Sequence, residues 1–159
     1  VPVQALIVPN KTRRQDFLHL MAKPGLLKLL AVIFYDAILL LAVLFAATYL
    51  VLPFNHGEAF SKQQIAYPLY LLSVCFVFYG WFWTHGGQTL GMKTWKLKLL
   101  SDRGLQAITW KQALIRFVFA MISWLCFGLG FIWIALDKNR RSWHDIVSKS
   151  GLYLLPSER

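Results

Sequence analysis

A single carboxylate, Asp36, interrupts the apolar stretch KLLAVIFYDAILLLAVLF that runs from Lys28 to Phe45. In a lipid interior one unpaired charge costs a helix roughly 3 kcal/mol, so a carboxylate there is either paired or working. It can pin two helices together through hydrogen bonds, or it can hold a cation or exchange a proton. Asp36 follows Lys28 by eight residues, which is ~12 Å along a helix axis and about 80° around it, too far for a salt bridge within one helix. Lys28 is therefore expected to snorkel to the head groups. The mate of Asp36 is expected from another segment, with Arg116 the candidate. A second dense group lies in the tail DKNRRSWHDIVSKSGLYLL, where Asp137, Arg140, Arg141, His144 and Asp145 fall within nine residues around Trp143. Three readings fit it: a solvated basic patch, a His144–Asp145 proton relay, or an ion pair between Asp145 and one of the arginines that also caps the following helix. The ion-paired structural role is the one favoured.

Other chemistries lack their parts. His19, His56, His85 and His144 are scattered without paired ligand spacing, so no metal site is expected. No Gly-flanked serine forms a nucleophile elbow, and Cys75 and Cys126 sit in apolar runs where packing is the expected role. Gly86, Gly87 and Gly91 are not followed by Lys and Ser/Thr at phosphate-loop spacing. Neither an enzyme nor a cofactor is expected.

The elements that must position these residues follow from composition. Apolar residues at 57% and a mean hydropathy of +0.50 are too high for a water-soluble chain of 159 residues. The run Leu29 to Leu52 carries Asp36 as its one charge and stops at Pro53; the run Ile65 to Thr84 carries none, with Tyr67 and Tyr70 at one end and Trp81 and Trp83 at the other. Both match the ~20 residues that a bilayer core of ~30 Å requires, and the aromatics resemble interfacial belts. The third run, Phe117 to Leu136, contains Gly128 and Gly130. It reads as a straight span or as a re-entrant pair of half-helices broken at the glycines, the broken form being slightly favoured. Between the second and third runs, KTWKLKLL followed by SDRG reads as a short hairpin-like cytoplasmic loop. Residues 1–24 form a basic amphipathic segment without a secretory signal, and residues 25–159 the membrane domain.

The 17 Lys and Arg residues and the net charge of +10 gather around the apolar runs. That placement is a topology signal rather than a nucleic-acid surface. A straight third span would leave the basic tail on the disfavoured outer side, whereas a re-entrant one keeps the N-terminus, central loop and tail cytoplasmic. Only the loop around Asn55 to Lys62 would then lie outside. Anionic lipids are the expected partners of the basic segments.

The order of GLLKLLAVIFYDAILLL, GGQTLGMKTWKLKLLSDRG and WKQALIRFVFAMISWLCFGLGFIWIALDKNRRSWHDIVS resembles the RDD family of small bacterial membrane proteins, across roughly residues 24 to 155. The resemblance maps the two family aspartates onto Asp36 and Asp145, the GQTLG segment onto Gly87 to Gly91, and the terminal HD onto His144 and Asp145. The family arginine is replaced, since Lys28 and Leu29 stand where it is expected. Lysine keeps the charge and loses the bidentate fork. The resemblance implies a bacterial inner-membrane location and a transport role, in its sharpest form cation/proton exchange. Three short apolar segments would need a homo-oligomer to enclose a pathway. The expectation is thus an all-α integral membrane protein that transports through Asp36, or alternatively a structural accessory subunit of a larger membrane complex.

Overall fold

Twenty-six residues without glycine or proline, Leu26–Val51, form α1, which runs into a 3-10 turn at Leu52–Asn55 around Pro53. The computed structural model describes residues 22–55, 65–102, 106–137 and 141–155. Most of the N-terminal segment 1–24 and of the loop Asn55 to Lys62 lies outside the described residues. Helix α2 spans Ala66–His85. Its Pro68 sits in the first turn, where a missing N–H has no intrahelical partner to lose. At that end Thr48 and Tyr67 hydroxyls share a hydrogen bond of 2.9 Å, and the Tyr70 hydroxyl donates to the Ala47 carbonyl at 3.2 Å. Both helices, counted as Leu26–Asn55 and Ala66–His85, are long and apolar enough to cross a membrane.

Beyond α2 the chain builds a small layer against the paired ends of the spans. Gly87, at φ +67°, turns the chain so tightly that a Cβ there would lie 2.6 Å from the Leu99 carbonyl oxygen. The short helix α3, Leu90–Thr94, follows its Thr89 cap, and strand β1 occupies Leu97–Ser101. Helix α4, Trp110–Leu125, opens with a capping box in which Thr109 and Gln112 satisfy each other's backbone N–H groups. Helix α5 is Leu129–Leu136, α6 is Trp143–Ser148, and β2 is Ser150–Leu154.

Two expectations change, the local hairpin and the all-α class, while the third run breaks near its glycines as the favoured reading has it. The segment KTWKLKLL does not form a local hairpin: β1 pairs antiparallel with β2, in a register running from Leu97 opposite Leu154 to Ser101 opposite Ser150. The alternation that suggested a hairpin is the signature of a strand, but its partner lies at the far end of the chain. The fold is accordingly mostly helical with a two-stranded sheet, not all-α. The third apolar run is not one helix. Phe127 at φ 54° and Gly128 at φ 75° are consecutive left-handed residues. They close α4 with the Schellman pattern, Gly128 N–H donating to the Ser123 carbonyl at 2.7 Å and Phe127 N–H to Trp124 at 3.1 Å. The chain then folds back, so that a Cβ on Gly130 would collide with the Ser123 side chain and lie 3.2 Å from Trp143. A straight helix would separate positions 123 and 130 by ~10 Å.

The buried core sits where the layer meets the spans. Leu29 and Val32 of α1 and Trp83 of α2 pack with Met92, Leu97, Leu99, Ile108, Phe117, Ile134 and Leu152. Much of the remaining apolar surface of α1 and α2 faces outward, including Phe34, Phe45, Tyr49 and Leu69.

Candidate functional site

Leu29, Val32 and Asp36 recur at three- and four-residue spacing, so they share one face of α1, and all three are buried. That face meets α3. Thr89 takes the extended conformation of an N-cap, accepts from Met92 N–H at 3.2 Å, and donates its hydroxyl to Oδ2 of Asp36. Gly91 N–H donates to Oδ1 at 2.9 Å. The carboxylate thus binds the N-terminal turn of α3, where backbone donors and the helix dipole both favour negative charge. A Cβ at Gly91 would lie 2.8 Å from Oδ1 and 2.9 Å from the Val32 carbonyl oxygen, so only glycine permits this approach. Asp36 is 2% exposed.

The partners expected for Asp36 go elsewhere. Lys28 is exposed on α1. Arg116 leaves α4 toward Asp145, donating from Nη1 to Oδ1, with both side chains almost wholly buried. The same nitrogen donates to Ser150 Oγ of β2 at 3.0 Å, and the guanidinium lies over the Trp83 ring at 5.4 Å. Oδ2 of Asp145 accepts from Ser142 N–H at 2.9 Å, while Asp145 N–H donates to Ser142 Oγ at 3.3 Å. Asp145 is therefore ion-paired and closes the capping box of α6. Its arginine comes from α4, 29 positions away, and not from the neighbouring tail residues. Arg141 instead lies 3.5 Å from Asp102 and donates its backbone N–H to Asp137 at 2.9 Å. Arg140 lies outside the described residues.

The electrostatics follow from this packing. Burial by itself would raise the Asp145 carboxyl, but Arg116, His144 and the Ser142 hydrogen bonds outweigh it and hold the group down at about 2. Burial, reinforced by Arg116 and opposed by Asp145, pushes the His144 imidazole down to about 3. His144 is thus neutral at physiological pH, poorly matched to relaying protons near neutrality. Around the pair, Ser148 and Ser150 hydroxyls share a hydrogen bond of 2.6 Å, and Gln112 Nε2 donates to Ser101 Oγ at 3.1 Å and to the Ser148 carbonyl at 3.0 Å. One polar junction therefore stitches α4, α6, β1 and β2 together.

Ser142 and Ser150 are not singled out by the sequence, and Thr89 and Gly91 enter within the GQTLG segment with no partner assigned to them. Ser142 carried a legible signal, a serine three residues ahead of a carboxylate at a helix start. Thr89 had the weaker signal of a threonine before a short turn, and Ser150 had none. Among the described residues no group of three or more His, Cys, Asp or Glu is placed to hold a metal ion.

The comparison with protein families returns the RDD family over residues 24–149. Neither curated proteins nor solved structures show a match to the chain. The matched region contains α1 through α6, with both buried aspartates, and the chain belongs to the RDD family.

Proposed function

We propose that the protein is a non-catalytic structural module of the bacterial inner membrane, an accessory subunit that presents a rigid cytoplasmic layer to a larger membrane complex. The observation that carries this reading is the occupancy of the two aspartates. Oδ1 and Oδ2 of Asp36 accept from Gly91 and Thr89, and those of Asp145 accept from Arg116 and Ser142. Carboxylates so engaged fix the docking of α3 and α6. The exposed Lys28, Lys93, Lys96, Lys111 and Lys149 border the end where α1 begins and α2 finishes. By the positive-inside rule this supports a cytoplasmic N-terminus and layer, with anionic lipids against the basic side chains.

A second reading has its own support. Among the described residues the ion pairs are Arg116–Asp145 and Arg141–Asp102, so Asp36 has no cationic partner there. A carboxylate without a counter-charge inside a span is suited to cation/proton exchange, which would also require a homo-oligomer.

Proton flux in proteoliposomes under imposed Na⁺ and K⁺ gradients separates the two. The accessory reading expects no flux from the wild type and an intact complex on purification from native membranes. Flux that disappears in a folded Asp36→Asn variant would overturn it in favour of exchange.

A further inference from the structure

The entry and exit of the third apolar run are tied together. Strand β1 precedes α4 and β2 follows α6, and their ladder sets Ser101 opposite Ser150. A crossing between these two strands would place them on opposite sides of the bilayer, which the ladder forbids. The lengths agree: α5 has eight residues, ~12 Å, and α4 reaches ~15 Å beyond Arg116, against a hydrocarbon thickness of ~30 Å.

The turn between α4 and α5 is nevertheless built for an apolar medium. Phe127 is 94% exposed and Leu125 79%, with Trp124 and Leu129 beside them. No charged residue occurs from Phe117 to Leu136. The charged groups of this unit are confined to its base, where Arg116 and Asp145 are buried and Lys111 and Lys149 are exposed. There a groove of about 320 Å³ lined by Phe119, Ile122, Trp143, Ile146 and Val147 opens between α4 and α6. An uncharged tip with charges only at the base is the polarity of an element entering a membrane from one side, and its surface continues the apolar belt of the two spans.

We infer that the α4–α5 hairpin is a single-leaflet wedge: it enters the bilayer from the side of the β1–β2 layer, places Phe127 among acyl chains no deeper than the midplane, and returns without crossing. Its partner is the hydrocarbon of that leaflet, with the α4–α6 groove open to an acyl chain. The wedge stands independently of whether the protein is an accessory subunit or an exchanger.

The test uses the full chain with Cys75→Ser and Cys126→Ser, reconstituted in phosphatidylethanolamine/phosphatidylglycerol vesicles. Single cysteines are introduced as Phe127→Cys and Leu125→Cys at the tip and as Lys93→Cys and Lys149→Cys at the base. An environment-sensitive fluorophore at either tip position is expected to be quenched several-fold more by lipids carrying a quencher deep on the acyl chain than by head-group quenchers. An impermeant maleimide is expected to label positions 93 and 149 from the same side. Labelling of these two positions from opposite sides would overturn the wedge in favour of a straight span. A tip quenched only by aqueous iodide would place the hairpin outside the bilayer. A tip shielded from both quenchers and cross-linking between copies would make the occupant a second chain. Either tip variant suffices if the other does not fold.

Discussion

Asp36 and Asp145 each bind the N-terminal turn of a short helix, α3 in one case and α6 in the other, yet only Asp145 faces a guanidinium. Asp145 lies in the protein layer beside α4 and β2, and Arg116 supplies the counter-charge for its burial. Asp36 lies on a spanning helix and is held by a hydroxyl and one backbone amide. The same local device thus occurs in a neutralised form and in a form whose charge is balanced by dipoles alone. Removing a carboxylate consequently does different things at the two places: at Asp145 it strands a buried arginine, and at Asp36 it strands only neutral donors.

The largest expected effect tests the neutralised site. Asp145→Ala should cost about 3–5 kcal/mol, because it leaves Arg116 buried without a partner and also opens the α6 cap. Unfolding in mixed micelles should show this. The double variant Arg116→Met with Asp145→Leu should recover part of the loss, and no recovery would mean that the cap rather than the charge dominates. Asp36→Asn is expected to cost less, about 1–2 kcal/mol, since an amide still accepts one of the two hydrogen bonds and leaves no charge unpaired. A cost equal to that of Asp145→Ala would break the comparison and point to a cation bound at Asp36.

The smallest effect is graded with pH. His144 titrates at about 3 in the fold against 6.5 in the unfolded chain, so the unfolded state takes up the proton first. Stability contributed by neutral His144 is full above pH 6.5 and declines toward pH 3, by up to about 1.4 kcal/mol per pH unit. Asp145, at about 2 against 3.8, adds its own loss as pH falls from 3.8 toward 2. Thermal unfolding across this range should show the wild-type slope and a flatter one for His144→Gln between pH 6.5 and 4. An unchanged slope would show that the second site does not carry the acid sensitivity.

Much of the scaffold was legible. The two spans follow from runs of apolar residues long enough for a bilayer, and the break in the third run was visible in its glycines, although the left-handed Phe127 was not. Strand β1 showed its alternation in KLKLL, whereas its pairing with β2 did not show, because a ladder of strands some fifty residues apart leaves no local mark. At the site, the burial of Asp36 and the cap formed by Asp145 could be read from neighbours in the chain. The partners could not: Thr89 stands 53 positions from Asp36, and Arg116 and Asp145 are 29 apart.

The sequence by itself determined which residues prefer lipid, the two spans to within a few residues, and that two carboxylates must be satisfied away from water. These depend on local propensity and on transfer free energies, which are properties of short segments. Only the tertiary structure decided that Arg116 serves Asp145 and that α3 serves Asp36. Such pairings depend on how α1, α2 and α4 dock, and docking is set by the summed packing of many side chains rather than by the charges themselves.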